Sequence, residues 1–438
     1  MSAGIYSLPP ELVGNVAECL DTEGLLNLRL SSRFLRDDTL FEFVRRYFHE
    51  RRHIVTMESL ECLAAISRHA KFGRAIRTIA ISDHVVGSPF GTEKTLADRD
   101  SIHESGMVAL YLTEVLKNAV NCRTVKISGD NRYWGAAAIE TECGDSDWWL
   151  RGPKHFRVAI KQSVIAALTE SGAPITTLKL DAYPADKRGR RGFQFPSLYC
   201  DSCLTKSRWV NTLTTLHLEL DFGPPIYDMV SVREFVKLLP QLEVISLECM
   251  PWGWSKSLVS ERLEKMHEFV EGLYLPRLRN LHIERLSCQL EDMTALLDAH
   301  RSTLHKVSLI AVAVYAPISN PWLRLLEMVR DQCLEVKNFN IEICYAVHFS
   351  TGFPAAEGTY TIKEVAFEDS DGKLSPDGQV VDNQIDHLIQ GVCEMEADDE
   401  LIEEEWMELG SGLAEGESMS EGGNEDSSDA DDSSTDDS

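Results

Sequence analysis

The chain has 438 residues, 43% of them hydrophobic, and a formal net charge of −27. That length exceeds one compact core and suits two or three modules, and no apolar run approaches the roughly 18 residues of a membrane span. Residues 394–438 hold nineteen Asp or Glu and no Lys or Arg, which leaves about −8 on the remainder. Neither an acid-coated body nor a nucleic-acid binder with a basic face is therefore expected.

Residues 7 to about 50 read as three short helices. Pro9 and Pro10 suit a first helical turn, and Glu11 complements the helix dipole. Leu12, Val16 and Leu20 recur every four residues as one apolar stripe. Asp21 can cap a second helix that carries Leu25, Leu26, Leu28 and Leu30. Ser31 or Ser32 can open a third, striped by Leu40, Phe43, Val44, Tyr47 and Phe48. Helices of this size bury too little surface to stand alone and call for a neighbour or a partner.

A helical linker is expected over 55–70. After it an apolar residue is followed, three positions on, by an apolar-x-apolar triplet, and this happens eight times. The copies are Ile76-x-x-Ile79-x-Ile81, Cys122-x-x-Val125-x-Ile127, Ile175-x-x-Leu178-x-Leu180, Leu213-x-x-Leu216-x-Leu218, Leu242-x-x-Ile245-x-Leu247, Leu278-x-x-Leu281-x-Ile283, Leu304-x-x-Val307-x-Leu309 and Val336-x-x-Phe339-x-Ile341. Each triplet predicts a short strand, and helical periodicity at 104–119, 155–170, 231–239, 258–273, 290–300 and 321–333 fills most of the gaps. Recurrence of one strand-plus-helix unit predicts an irregular α/β solenoid of leucine-rich-repeat type over 71–350. The longer early spacings imply insertions, which 82–103, 129–154 and 182–209 supply. Thr359 to Phe367 alternates like a strand, so 351–393 reads as a capping segment. Residues 394–438 are too polar to offset ordering entropy and are expected to be a disordered acidic tail.

The opening Leu8-Pro9-Pro10-Glu11-Leu12, the aliphatics at Val16 and Leu20, and Asp21 before Leu25, Leu26, Leu28, Leu30, Ser31, Ser32 and Arg33 together resemble the F-box over about forty residues. An F-box followed by irregular repeats is similar to the large fungal F-box group. The resemblance implies a helical module, residues 1–54, that binds a Skp-type adaptor of a cullin–RING ubiquitin ligase core. It implies contact residues Leu8, Pro9, Leu12, Val16, Leu20, Leu25, Leu28 and Leu30. The repeats would capture a protein substrate, and catalysis would reside in the RING subunit and its conjugating enzyme. The alternative is a non-catalytic repeat scaffold acting in an adaptor complex outside a ubiquitin ligase.

Other motifs carry less. Lys187-Arg188-Gly189-Arg190-Arg191 is a basic run that reads as a solvated insertion or, through Arg188, Arg190 and Arg191, as a contact for an acidic substrate segment. Trp148, Trp149, Trp209, Trp252 and Trp254 fall near loops, and Trp252 and Trp254 are candidates for substrate contact. Cys200-Asp-Ser-Cys203 lacks the second pair that a structural zinc needs and reads as two loop cysteines. No P-loop, GxGxxG, GxSxG or HExxH is present, so a non-catalytic protein without cofactor or metal is expected. The start of the chain lacks the basic and apolar segments of a secretory signal. Eleven scattered cysteines suit a reducing compartment, so a cytoplasmic or nuclear location is expected, with no membrane and no nucleic-acid partner.

Overall fold

A computed structural model describes residues 5–82, 105–128, 154–180, 206–220, 229–249, 256–317, 321–333, 335–349 and 356–368. The chain is mixed α/β, and among these residues twelve strands form one open, mostly parallel sheet accompanied by twelve α-helices.

Residues 5–48 fold as short helices whose ends are written in the sequence. Helix α1 (Pro10–Cys19) carries Pro10 and Glu11 in its first turn. Asp21 caps α2 (Thr22–Ser31) by accepting from the Gly24 N–H at 2.7 Å. Ser32 caps α3 (Arg33–Asp38) by accepting from the Leu35 N–H at 3.1 Å. The third helix expected from the sequence is two. Buried Thr39 turns its hydroxyl back to donate to the Leu35 carbonyl at 2.6 Å, and the chain restarts as α4 (Leu40–Phe48). A side chain that competes for backbone groups in this way ends a helical run.

From α4 the chain passes through His49 directly into strand β1 (Glu50–Ile54), which pairs in parallel with β2 (Thr78–Ser82). Helix α5 (Met57–Arg68), on the expected linker, and the short α6 (Phe72–Ala75) connect the two. Strands β3 (Thr124–Ser128), β4 (Thr177–Leu180), β5 (Thr215–Leu220), β6 (Val244–Cys249) and β7 (Asn280–Glu284) follow in order across the sheet. After the short β8 (Ser287–Gln289), β9 (Lys306–Ile310) pairs with β7. Then come β10 (Ala313–Ala316), β11 (Asn338–Phe349) and β12 (Ala356–Glu368). All eight sequence copies are strands, and their triplets align. Ile79, Val125, Leu178, Leu216, Ile245, Leu281, Val307 and Phe339 are direct partners from one strand to the next.

The same regularity holds in the backbone just before each strand. The His49 carbonyl accepts from Arg77 N–H at 2.8 Å and Thr78 N–H at 2.9 Å. The Arg77, Arg123, Thr176, Thr214, Glu243, Arg279 and His305 carbonyls repeat this double acceptance toward the next strand. From β1 through β7 to β9 and β11, each strand is thus locked to its neighbour at one fixed register, which a half-buried sheet needs because a one-residue slip inverts its faces. Helices α7 (Met107–Asn118), α8 (Lys154–Ser171), α9 (Met229–Lys237), α10 (Lys256–Val270), α11 (Leu290–Ala299) and α12 (Pro321–Gln332) occupy the six expected stretches. Their buried faces, such as Leu112, Leu168, Val236, Phe269, Leu297 and Leu325, share one core with the strand triplets.

The last strands depart from the simple repeat. Arg285 and Ala311 take left-handed φ values of 58° and 52°, between β7 and β8 and between β9 and β10. Such values are uncommon for residues with a side chain. Here hydrogen bonds hold the kinks: Arg285 N–H donates to the Ile310 carbonyl at 2.8 Å and Ala311 N–H to the Glu342 carbonyl at 2.7 Å. The continuous β11 pairs first with β9 and then with β10. Strand β12 contains the alternating Thr359–Phe367 stretch and runs antiparallel to β11.

Candidate functional site

The helical head has a small interior and a greasy exterior. Val13, Ala17, Leu25 and Leu35 are fully buried between the helices. Among the described residues eleven large hydrophobic side chains are exposed, and seven of them lie between residues 6 and 41: Tyr6, Leu12, Val16, Leu26, Leu30, Phe34 and Phe41. Isolated exposed hydrophobics are ordinary, but this concentration in a tenth of the chain is not. Leu12 and Val16 lie one turn apart on α1, as do Leu26 and Leu30 on α2. Tyr6 and Phe34 meet with ring centroids 6.1 Å apart. Leu30 is 83% exposed and Phe41 76%, values that no packing role among the described residues explains.

Of the eight contact residues implied by the sequence resemblance, Pro9, Leu12, Val16 and Leu30 are exposed, while Leu8, Leu20 and Leu28 are half-buried. Leu25 is interior. Tyr6, Leu26, Phe34 and Phe41 share the exposure without belonging to that set. Apolar residues left over once the inward faces are filled are the signal that would have found them.

A polar frame fixes this head. Glu42, 4% exposed, binds the Arg45 guanidinium at 2.7 and 2.9 Å and also the Arg46 Nε. Arg46 in turn donates to the Ala17, Glu18 and Leu20 carbonyls at 2.9, 2.7 and 2.5 Å, closing the C-terminus of α1. Hydrogen bonding from Arg45, then from Arg46, holds the Glu42 carboxyl below the usual carboxylate range against the opposing effect of burial. Arg29 stacks over Phe43 at 3.9 Å and donates to the Arg36 carbonyl at 2.7 Å. Phe48 stacks on Phe72 at 4.1 Å, and Phe72 in turn on His69 at 4.1 Å, so α4 is pinned to the segment that leads into β2. Charge-assisted bonds and stacked rings of this kind give a rigid mount.

The second surface is the sheet face opposite the core. Residues that alternate with the buried triplets point there. In register across the strands they are Lys126, Lys179, His217, Ser246 and His282, followed two residues further along by Glu219, Glu248 and Glu284. Arg285 pairs with both Glu248 and Glu284, the latter at 3.2 Å. On β1 the triplet positions hold Arg51 and His53 instead of aliphatics. Burial, with Arg51 adjacent, pushes the His53 imidazole down to about 3, and its Nδ1 meets the Ser59 hydroxyl at 2.9 Å.

Burial pushes the Cys122 and Cys344 thiols up to about 12 and Cys333 to about 11, so they are packed hydrophobes, not nucleophiles. No group of three His, Cys, Asp or Glu is arranged to hold a metal among the described residues. No helix there is long and apolar enough to cross a membrane. Trp209, grouped from the sequence with loop aromatics, is instead fully buried, with its indole N–H on the Thr169 hydroxyl at 3.3 Å. It links α8, through Thr169, to α9, whose Phe235 ring lies with its centroid 6.3 Å away. Trp252, Trp254, Arg188, Arg190, Arg191, Cys200, Cys203 and residues 394–438 lie outside the described residues. No protein-family model matches this sequence, and no curated protein matches it.

Proposed function

We propose that the chain is a substrate-recognition adaptor of a cullin–RING ubiquitin ligase, in which the helical head docks a Skp-type adaptor and a leucine-rich-repeat-like solenoid holds a protein substrate. The observation that carries this reading is the concentration of exposed apolar side chains on a head that already has its own interior. A buried core explains Val13 and Ala17; it leaves Leu12, Val16, Leu26, Leu30, Phe34 and Phe41 for a partner. An interface of about 1,600 Å² in total would suit them. The parallel strands in one register support the solenoid reading, since each repeat then presents its open-face residues in line with those of its neighbour.

The function is proximity. A receptor that fixes its substrate near a charged thioester raises the effective concentration of the attacking lysine, without a catalytic group of its own. The rigid mount matters in this reading, because α4 leads into β1 through a single residue. Orientation set at the adaptor is then carried into the sheet.

The test pairs Leu12→Asp with Leu30→Asp. Both side chains are exposed, so the fold should be retained within about 0.5 kcal/mol. Removal of central anchors should lower adaptor affinity roughly thirtyfold or more. Undiminished co-purification of a Skp-type adaptor with this variant would overturn the proposal.

A further inference from the structure

Helix α11 is fastened at both ends by histidines with opposite requirements. In its first turn Asp292 is 4% exposed, and its Oδ1 lies 2.7 Å from Nδ1 of His267 on α10. Its Oδ2 is buried without a hydrogen-bond partner. A buried carboxylate depends on a paired charge. Among the described residues the side chain bonded to it is the exposed His267 imidazole. At the other end, buried His300 directly follows the last residue of α11. Its Nε2 accepts from the Leu275 N–H at 2.9 Å, so the ring proton sits on Nδ1, which donates to the Leu296 carbonyl at 2.7 Å. Leu275 lies between α10 and β7, so both histidines tie α11 to the segment that α10 begins. A second proton on His300 would set two donors against each other, Nε2–H and the Leu275 N–H. Loss of the proton from His267 would leave the Asp292 charge facing a neutral ring.

We infer that α11 is a pH-set latch, fully closed only while His267 is protonated and His300 is neutral. Hydrogen bonding and charge from Asp292 raise the His267 imidazole above its ordinary 6.5 against the opposing effect of burial, and Glu271 and Glu268 add to the rise. Burial lowers His300, with its bond to Leu296 working the other way. The neighbouring elements supply charges that are already matched. On α10 Lys265 pairs with Glu268 at 2.7 Å, and Arg233 of α9 reaches Glu271 at 3.4 Å. Asp298 of α11 pairs with Arg301 at 3.2 Å. On α12 Arg324 pairs with Glu327 at 3.5 Å and Arg330 with Asp331 at 2.8 Å. Burial raises the Cys288 thiol on β8, the Tyr315 hydroxyl on β10 and the Cys333 thiol beyond α12, so these groups stay neutral across the range in which histidine titrates. A raised folded value means that the His267 contribution is complete below pH 6.5 and is lost as the pH rises through the folded value. The lowered value of His300 gives the converse, a contribution complete above pH 6.5 and lost as the pH falls through the folded value. The two limbs meet near pH 6.5. Because α11 buries Met293, Leu296 and Leu297 in the shared core, opening the latch loosens this one repeat. Such a device operates whether or not the chain serves a ubiquitin ligase.

The experiment is hydrogen exchange of the full chain between about pH 5 and pH 8.5, with each rate divided by the intrinsic rate of its amide and β2 as the internal reference. One proton changes an opening constant by at most about tenfold per pH unit. Solvent screens the exposed His267, so a fall of about threefold or more on each side of pH 6.5 is the expected loss of protection in α11. His267→Gln should remove the alkaline limb and keep the acid one. His300→Gln, whose side-chain amide can still accept from Leu275, should remove the acid limb and keep the alkaline one. Nuclear magnetic resonance of the parent chain with labelled histidine gives a second readout that needs no buried substitution: His267 should titrate above 6.5 and His300 below it. Protection of α11 that follows β2 at every pH, a limb that survives the loss of its own histidine, or ring titrations in the reverse order would overturn the inference.

Discussion

Arg46 joins the two halves of the head, and removing it should loosen α1 more than any other part of the chain. Arg46→Met keeps the unbranched stem and deletes the guanidinium. Three carbonyls at the end of α1 then lose a guanidinium donor, with Ala17 keeping the Leu20 N–H, and Glu42, 4% exposed, keeps Arg45 alone. Breaking a buried ion pair costs about 3–5 kcal/mol. Arg46 is 22% exposed and water replaces part of what it gave, so about 2–3 kcal/mol is the expected loss. At about 1.4 kcal/mol per factor of ten, amides of α1 should exchange with deuterium roughly thirtyfold to a hundredfold faster. Amides of β5 to β7 should be unchanged. The pH dependence follows from Glu42, whose carboxyl is held below its ordinary 4.5. A lowered folded value means that the carboxylate's contribution is complete above pH 4.5 and is lost as the pH falls through the folded value. Glu42→Gln should therefore flatten the acid loss of protection in α1. Hydrogen exchange read peptide by peptide decides the matter: unaltered exchange over residues 10–19 in Arg46→Met would refute the frame.

Leu216→Ala empties a fully buried position in the middle of the aligned triplets and should cost about 2–5 kcal/mol, read from the denaturant midpoint; a loss below about 1 kcal/mol would contradict the shared core. Gly73→Ala places a methyl group well inside contact distance of the Ser67 carbonyl oxygen, backbone that cannot swing aside. A loss of about 1–3 kcal/mol is expected in thermal unfolding, whereas an unchanged midpoint would argue against that close turn. His53 is buried and neutral, with its folded value lowered from 6.5 to about 3, so the unfolded chain takes up a proton first as the solution is acidified. Stability should fall by up to about 1.4 kcal/mol per pH unit below 6.5 until about pH 3. His53→Leu should remove that slope, and a slope equal to that of the parent would place the imidazole in solvent.

The repeat was legible because its signal is redundant. Each triplet must bury two side chains on one face, and only aliphatic or aromatic residues satisfy that condition in the strands from β2 to β7. Strand β1 was hidden for the converse reason. Its inward positions carry Arg51 and His53, whose burial depends on Tyr47, Phe48 and Ser59, partners that no periodicity displays. The kinked β8 and β10 follow residues with left-handed φ and were illegible for want of glycine at Arg285 and Ala311. In the head, the stripe Leu12, Val16 and Leu20 was visible, but its direction was not. On α1 the interior takes Val13 and Ala17, while Leu12 and Val16 face outward. Binary patterning assigns that stripe to the core, and α1 inverts the assignment at Leu12 and Val16. The charge rows on the open face required the register, since Lys126 and Lys179 are more than fifty positions apart in the chain but adjacent across the sheet.

Reconstitution of the chain with a Skp-type adaptor and a cullin–RING core, followed by size-exclusion chromatography with mass detection, tests the central claim most directly. A single stoichiometric complex containing all the components is predicted for the parent chain, with Leu12→Asp plus Leu30→Asp eluting as a folded monomer. A parent chain that stays monomeric beside the adaptor would contradict the claim, and one that takes up the adaptor but excludes the cullin would confine it to a scaffold outside the ligase.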